Sequence, residues 1–306
     1  MFFVLRVTLV TVIFIRYFGH SDLLIDLAKD HGLILNSINC VKCERPCRID
    51  YNKKWFRCDK SVVRNRRRKR CSYNVSIFNN TWFAKSHLDI ETNLLFVNLF
   101  LRKYFSYQVI RDELKLSDKT ITDWSSFCRE VLVSWCLNNS AEKIGGDGQI
   151  VEIDESKFGK RKYNVGRVIE GQWVFGGVCR STKQFFMVPV ERRDSDTLLE
   201  IIKDKIEQGT TIISDCWKAY NCLSKEGYQH LTVNHSINFV DPTTAAHTNT
   251  VERRWREAKA NVPKYGRRKY HFVGYLARAM FLMKHPEANR RFHYFLEAAA
   301  RLYPPH

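Results

Sequence analysis

Apolar and polar positions alternate over QIVEID (149–154): Val151 and Ile153 face one way, Glu152 and Asp154 the other, which is the period of a half-buried strand. QWVFGGVC (172–179) and QFFMVPV (184–190) predict two further strands joined by the polar turn RSTK. DSDTLLEIIKDKIE (194–207) has the spacing of an amphipathic helix behind a Ser/Asp cap. TTIIS (210–214) is apolar without alternation, as a strand buried on both faces should be, and Asp215 follows it at once. Then come an expected helix over 217–224, a short strand over 230–234 and an irregular stretch holding Asp241-Pro242. HTNTVERRWREAKA (247–260) predicts a helix capped by Thr248 or Asn249, with Glu252 in its first turns.

Upstream the pattern is helical. LDIETNLLFVNLFLRKYF (88–105) carries apolar residues at helix spacing. Val109, Ile110 and Leu114 mark a short helix, Leu116-Ser117-Asp118 a turn with a cap signal, and Ile121, Trp124, Phe127 and Val131 a second helix. Two short helices around such a turn read as helix-turn-helix, with Lys119, Thr120 and Thr122 at the start of the recognition helix. A plain helical linker bundle is the competing reading. At the front, FFVLRVTLVTVIFI (2–15) is interrupted by Arg6, and residues 7–15 are too few to span a bilayer. No small-residue cleavage motif follows, so a buried strand or helix, or a stretch wrongly joined to the true start, is expected rather than a secretory signal.

Composition fits a soluble globular chain of two or three domains: 306 residues, 44% hydrophobic and 27% charged. Collagen, wholly disordered and multi-span membrane classes are excluded. The net charge of +18, with a pI near 9.5, departs from that ordinary picture. Residues 1–143 carry net +10, residues 144–252 net −2 and residues 253–306 net +10. The surplus points to a polyanion, nucleic acid first and an anionic membrane second, and basic arms around an acidic centre suit an enzyme that grips nucleic acid at its edges and works on it in the middle; the expected partner is double-stranded DNA, with no membrane. The alternative is a solvated basic surface.

Cys40, Cys43, Cys47, Cys58 and Cys71 fall within 32 residues. In a reduced compartment, Cys40-x2-Cys43 with Cys58 and Cys71 reads as a four-thiolate structural Zn²⁺ site; Cys47 is a spare thiol that could replace one ligand, and free core cysteines are the alternative. DKSVVRNRRRKR (59–70) reads as an insertion projecting from the knuckle. Arg66, Arg67, Arg68, Lys69 and Arg70 can neutralise phosphates, or serve as a nuclear-import signal.

In the acidic middle, Asp154 and Asp215 stand at the ends of two strands and Glu252 on a helix. Converging carboxylates cannot all ionise comfortably without a cation, and hard oxygen ligands suit Mg²⁺ or Mn²⁺, two per site, for phosphodiester chemistry. Solvated surface acids are the alternative for any one of them. Glu252, Arg256 and Lys259 lie at i, i+4 and i+7, so a ligand and two phosphate-binding cations share one stripe; an ion pair between Glu252 and Arg256 is the competing reading. Glu155 is expected on the opposite strand face from Asp154, and Asp241 in an irregular stretch, so both are expected to be less critical.

IDESKFGKRKYNVGR (153–167), WVFGGVCR (173–180), ISDCWKAY (213–220), VNHSINFVDP (233–242) and HTNTVERRWREAK (247–259) resemble the Merlin superfamily of DNA transposases and related bacterial insertion-sequence transposases, over about residues 21–265. The resemblance implies an α/β, RNase H-like mixed-sheet catalytic domain, a DDE triad falling on Asp154, Asp215 and Glu252, and a cysteine zinc ribbon before it. It also implies cutting at terminal inverted repeats and joining of the ends to target DNA. The basic insertion between Cys58 and Cys71 is longer than the spacing expected of the family, and its pattern fades after residue 270.

The expected layout is a hydrophobic stretch (1–20), a zinc ribbon (21–84), a helix-turn-helix-like segment (85–143), the catalytic domain (144–265) and a basic helical tail (266–306). A homo-oligomer on DNA, in the nucleus if the host is eukaryotic, is the expected working form. The rival functions are a domesticated DNA-binding protein without transposition and a structure-selective nuclease.

Overall fold

The computed structural model describes residues 19–64, 67–103, 105–139, 142–159, 171–234, 246–263 and 269–306. Two compact units share the chain: the described residues through Ser134 together with His285–His306, and Trp135–Lys284.

The first unit begins with α1 (Ser21–Asp30), which buries Leu24, Ile25 and Ala28 along one stripe. The cysteine module follows. Strands β1 (Arg48–Asp50) and β2 (Trp55–Cys58) form an antiparallel sheet with β5 (Tyr73–Ser76). Between β2 and β5, β3 (Ser61–Arg64) and β4 (Arg67–Arg70) pair only with each other, as the inserted basic segment should. Three arginines converge on Asp59 at the base of this hairpin: Arg48 (2.6 Å), Arg57 (2.9 Å) and Arg70 (3.7 Å). Hydrogen bonding from Arg48 leads the effects that hold its carboxyl below the usual range.

Helix α2 (Ile90–Phe100) starts where Asp89 accepts the Thr92 N–H at 2.7 Å. Helices α3 (Tyr107–Leu114) and α4 (Asp118–Asn138) flank the anticipated turn: Lys115 takes φ 54° to end α3, and Ser117 Oγ accepts the Thr120 N–H at 3.2 Å to start α4. The buried stripe of α4 is Ile121, Trp124, Cys128, Val131 and Leu132. Phe127, expected inside, is 47% exposed. Six residues past Ile121 the helix has turned about 240° beyond a full turn, away from the core.

In the second unit, β6 (Ile144–Gly145) leads into β7 (Ile150–Phe158), β8 (Gln172–Cys179) and β9 (Phe185–Val190), an antiparallel meander. Asp194 accepts the Thr197 N–H at 3.0 Å and caps α5 (Ser195–Lys205). The short β10 (Ile206–Glu207) pairs with β6, and β11 (Thr211–Asp215) and β12 (Gln229–Val233) run parallel to β7. The sheet order β12-β11-β7-β8-β9 is the mixed five-stranded arrangement of an RNase H-like fold.

Two sequence expectations need correction here. The first strand does not end near Asp154 but continues to Phe158, because its antiparallel partner β8 outlasts its parallel partner β11. The helix expected over 217–224 is two 3₁₀ turns, Lys218–Tyr220 and Leu223–Glu226. Its buried pair, Tyr220 and Leu223, is three residues apart, which suits three residues per turn, and Gly227 at φ 85° ends the segment.

Helix α6 (Asn249–Asn261) and α7 (Phe272–Lys284) cover one face of the sheet, where Val251 and Trp255 meet Val174, Val178, Phe272 and Leu276. Helix α5 covers the other, with Leu198 and Ile202 against Val151, Ile153 and Phe175. Gly176, paired with Asp154, permits the α6 contact: a Cβ there would lie 2.6 Å from the Trp255 ring and 2.9 Å from the Phe186 carbonyl oxygen. The expected C-terminal tail is divided. Helix α7 shares the core of α6, while α8 (Ala288–Leu302) belongs to the first unit, where Phe295 packs edge-on to Trp82. No helix among the described residues is long and apolar enough to cross a membrane; the apolar residues 1–18 lie outside them.

Candidate active site and cysteine cluster

The register of β7 and β11 brings the first two acids together. Ile213 is level with Glu152, and Asp215 and Asp154 each lie two residues further along parallel strands, on the same face. The first turn of α6 brings Glu252 to that face. Asp154 feels the charges of both Asp215 and Glu252. Burial, followed by these two charges, pushes its carboxyl up to about 7, although the Glu155 N–H and the Trp255 indole pull the other way. Trp255 Nε1 donates to Asp154 Oδ2 at 2.9 Å, and the Trp217 N–H donates to Asp215 Oδ1 at 3.1 Å. Asp154 is thus oriented by the Trp255 indole and the Glu155 N–H, and Asp215 by the Trp217 N–H.

Glu155 joins this group. Strand alternation puts it on the other face of β7, yet its carboxyl feels Asp154 and Asp215 and lines a cavity of about 460 Å³ with Asp215, Arg193 and Trp217. Its side chain is 7% exposed, and Oε1 has no hydrogen-bond partner among the described residues. Burial, then Asp154 and Asp215, push it up to about 8, opposed by Arg193 at 4.0 Å. The Arg193 guanidinium lies 3.6 Å from the Trp173 ring centre and 5.1 Å from that of Trp217.

The helix carrying Glu252 is fastened to β7 at a second place. Glu152 is fully buried, and its Oε2 accepts the N–H groups of Thr250 (2.8 Å) and Val251 (2.9 Å). Its Oε1 accepts from Thr250 Oγ1 (2.8 Å) and Arg180 Nε (2.6 Å). Trp255, Glu152 and Arg180 were not singled out from sequence. Alternation put Glu152 on the polar face of the strand, and only the packing of α6 against that face buries it. Arg256 and Lys259 are exposed on α6 with Glu252, and among the described residues no ion pair joins Glu252 to Arg256. Asp241 lies outside the described residues.

In the first unit, Cys40, Cys43, Cys58 and Cys71 place their sulfurs within 4.8 Å of one another. Two of the separations, Cys40–Cys71 at 3.6 Å and Cys43–Cys58 at 3.5 Å, approach the roughly 3.8 Å edge of a zinc–thiolate tetrahedron. The knuckle closes through the Glu44 N–H to the Cys40 carbonyl at 2.7 Å, with Glu44 at φ 60°. Burial opposes ionisation of Cys40, but the Lys42 N–H and neighbouring thiols outweigh it and bring the thiol down to about 7. Cys47 is buried beside the group and outside the four; burial, then the charges of Cys40 and Cys43, push its thiol up. Four soft donors in this arrangement fit Zn²⁺. Arg68, Lys69 and Arg70 are exposed on the hairpin; Arg66 lies outside the described residues, and Arg67 is described for its backbone only.

A mixed RNase H-like sheet with acids gathered beside its parallel strands defines a class of nucleic-acid-processing domain, and comparison gives the family. The ISXO2-like transposase domain matches residues 141–282. An uncharacterized transposase-like protein of Haemophilus influenzae is 30% identical over 92 residues, 30% of this chain and 73% of that protein. This chain belongs to the insertion-sequence-related DDE transposases. Among solved structures, the simian T-cell lymphotropic virus intasome bound to the PP2A regulatory subunit B56 gamma is similar at 17% identity and TM-score 0.31, covering 59% of this chain and 69% of that one. The HTLV-2 integrase catalytic core with magnesium is similar at 15% identity and TM-score 0.21, covering 43% and 98%.

The crowding of acids has a measurable consequence in protein without added divalent metal. The unfolded chain releases the Asp154 proton near 3.8 and the folded chain near 7, so the group costs stability as pH rises through that window. Asp154→Asn should stabilise zinc-replete, magnesium-free protein by about 2 kcal/mol at pH 8 and by less than half as much at pH 5, read by urea unfolding. Equal effects at the two pH values, or destabilisation at pH 8, would contradict a carboxyl raised by burial and by the acids beside it.

Proposed function

We propose that this transposase cuts DNA at transposon ends and transfers the 3′-hydroxyl strands to target DNA, with Asp154, Asp215 and Glu252 as its catalytic carboxylates. The observation that carries the reading is the parallel register that sets Asp215 beside Asp154 on one face, with Glu252 close enough for its charge to be felt at Asp154, inside the family-matched domain. A buried carboxylate with like charges near it, and a further buried oxygen unpartnered among the described residues at Glu155, make a donor set suited to a hard cation. The residues therefore fit Mg²⁺ or Mn²⁺. Asp154 and Asp215 would hold the ions between them, and Glu252 would complete the second position. When bound, two such ions supply Lewis-acid activation of a water or 3′-hydroxyl and stabilisation of the leaving oxygen. Trp255 keeps Asp154 turned into the site through Oδ2.

Arg256 and Lys259, on the helix of Glu252, would receive backbone phosphates beside the reacting bond, and Arg68, Lys69 and Arg70, in the first unit, would neutralise phosphates of the duplex. The exposed start of α4, with Lys119, suits base contact. Terminal inverted repeats and target DNA are the proposed substrates. A homo-oligomer acting on them, in the nucleus of a eukaryotic host, is part of the same reading.

Cleavage and strand transfer of labelled repeat-end DNA test the chemistry. Asp215→Asn and Glu252→Gln should each lose activity by about a thousandfold or more while retaining DNA binding. Full activity in Asp215→Asn, or activity without divalent metal, would remove the two-metal reading. DNA binding by the wild type with no cleavage under any divalent condition would instead favour a DNA-binding protein without transposition.

The cysteine cluster is proposed as one structural zinc site, since so small a module buries too little apolar surface to fold on its own. Reduced protein should carry one zinc per chain by metal analysis. Cys40→Ser should lose it and Cys47→Ser keep it. Zinc retained by Cys40→Ser but lost from Cys47→Ser would reassign the ligands.

A further inference from the structure

We propose that Glu152 is a positioning residue for the active site: it clamps the helix of Glu252 to the strand of Asp154 and so sets how well the acids hold a divalent cation. The inference rests on the proposed triad and extends it to a residue that would touch neither metal nor DNA.

A helix start leaves its first N–H groups without intrahelical partners, and a side chain at the N-cap ordinarily accepts from the second or third. Thr248, the N-cap of α6, makes no such bond. Glu152 makes it instead, from a different element: one oxygen takes the N–H groups of Thr250 and Val251, the second and third helical residues. A carboxylate at a helix N-terminus is also favoured by the helix dipole. The cap is therefore tertiary, and it fixes the position of α6 along β7 and its rotation about its own axis.

That position decides the site because Glu252 directly follows Val251. Trp255, one turn later, is tied to Asp154, two residues after Glu152 on the same strand face. Two anchors on β7 thus bracket Glu252. Arg180 compensates the buried charge and also donates from Nη2 to the His247 carbonyl at 2.7 Å, which fastens the chain entering the helix. His247 Nδ1 lies 3.4 Å from Glu152 Oε1. A buried charge held by five contacts is more than a helix start needs for stability alone; it specifies one placement.

The test is Mn²⁺ binding to the full-length, zinc-loaded chain, followed through the free-ion electron paramagnetic resonance signal, alongside the Mn²⁺ dependence of cleavage. Glu152→Gln retains the size of the side chain but puts an amide donor where an acceptor is needed. It should weaken Mn²⁺ binding about tenfold, with cleavage returning toward the wild-type maximum at high Mn²⁺, a recovery that general damage would not give. If Glu152→Gln does not fold, Thr250→Val, which removes one hydrogen bond and keeps both backbone bonds, should show about a threefold change in the same direction. Asp154→Asn and Glu252→Gln serve as references. If they lose Mn²⁺ and the clamp variant that folds binds as wild type, the positioning role is overturned and the triad stands. If the reference variants also bind as wild type, the triad itself fails.

Discussion

Parallel pairing of Thr211–Ile213 with Ile150–Glu152, two residues before the two aspartates, is the constraint on which the rest depends. Side chains two apart on a strand share a face, and parallel partners in register advance together. Asp154 and Asp215 are therefore neighbours by backbone geometry, before any side-chain contact is considered. The meander β7-β8-β9 supports one edge of this pair and β12 the other. Burying Asp154 beside other acids is unfavourable for its ionised form, and the fold holds it there through the packing of α5 on one face and of α6 and α7 on the other.

Glu252 reaches the pair differently, because a helix has no register with a sheet. It needs anchors, and they are specific. Gly176 clears space for the Trp255 ring, Trp255 reaches Asp154, and Glu152 takes the helix N-terminus. Each of these has a reason that is not local in sequence, since the partners are separated by about a hundred residues. Strand patterns and motif order could therefore identify Asp154, Asp215 and Glu252 as candidates, while what fastens them together required the fold.

The same division runs through the chain. Alternation in QIVEID, the uniform apolar run before Asp215, and the Asp194 and Ser117 caps are local signals, and the structure places elements where they indicate. Phe127 misled because its apolar character was read without its angle on the helix. Residues 217–224 misled because two buried residues three apart fit a 3₁₀ turn as well as an α-helix. Glu155 was assigned away from the site by strand alternation, which is correct for direction but says nothing of electrostatic reach in a buried place. The four clustered cysteines were legible because knuckle spacing is set by one tight turn; that Cys47 stands outside them depended on where β1 begins.

The proposed chemistry comes down to whether these acids hold divalent metal together. Anomalous diffraction from crystals saturated with Mn²⁺ tests this most directly. The account predicts Mn²⁺ density between the carboxylates of Asp154 and Asp215, with Glu252 completing the coordination of a second ion. Saturating Mn²⁺ with no density there, or an ion bound without Asp154, would contradict it.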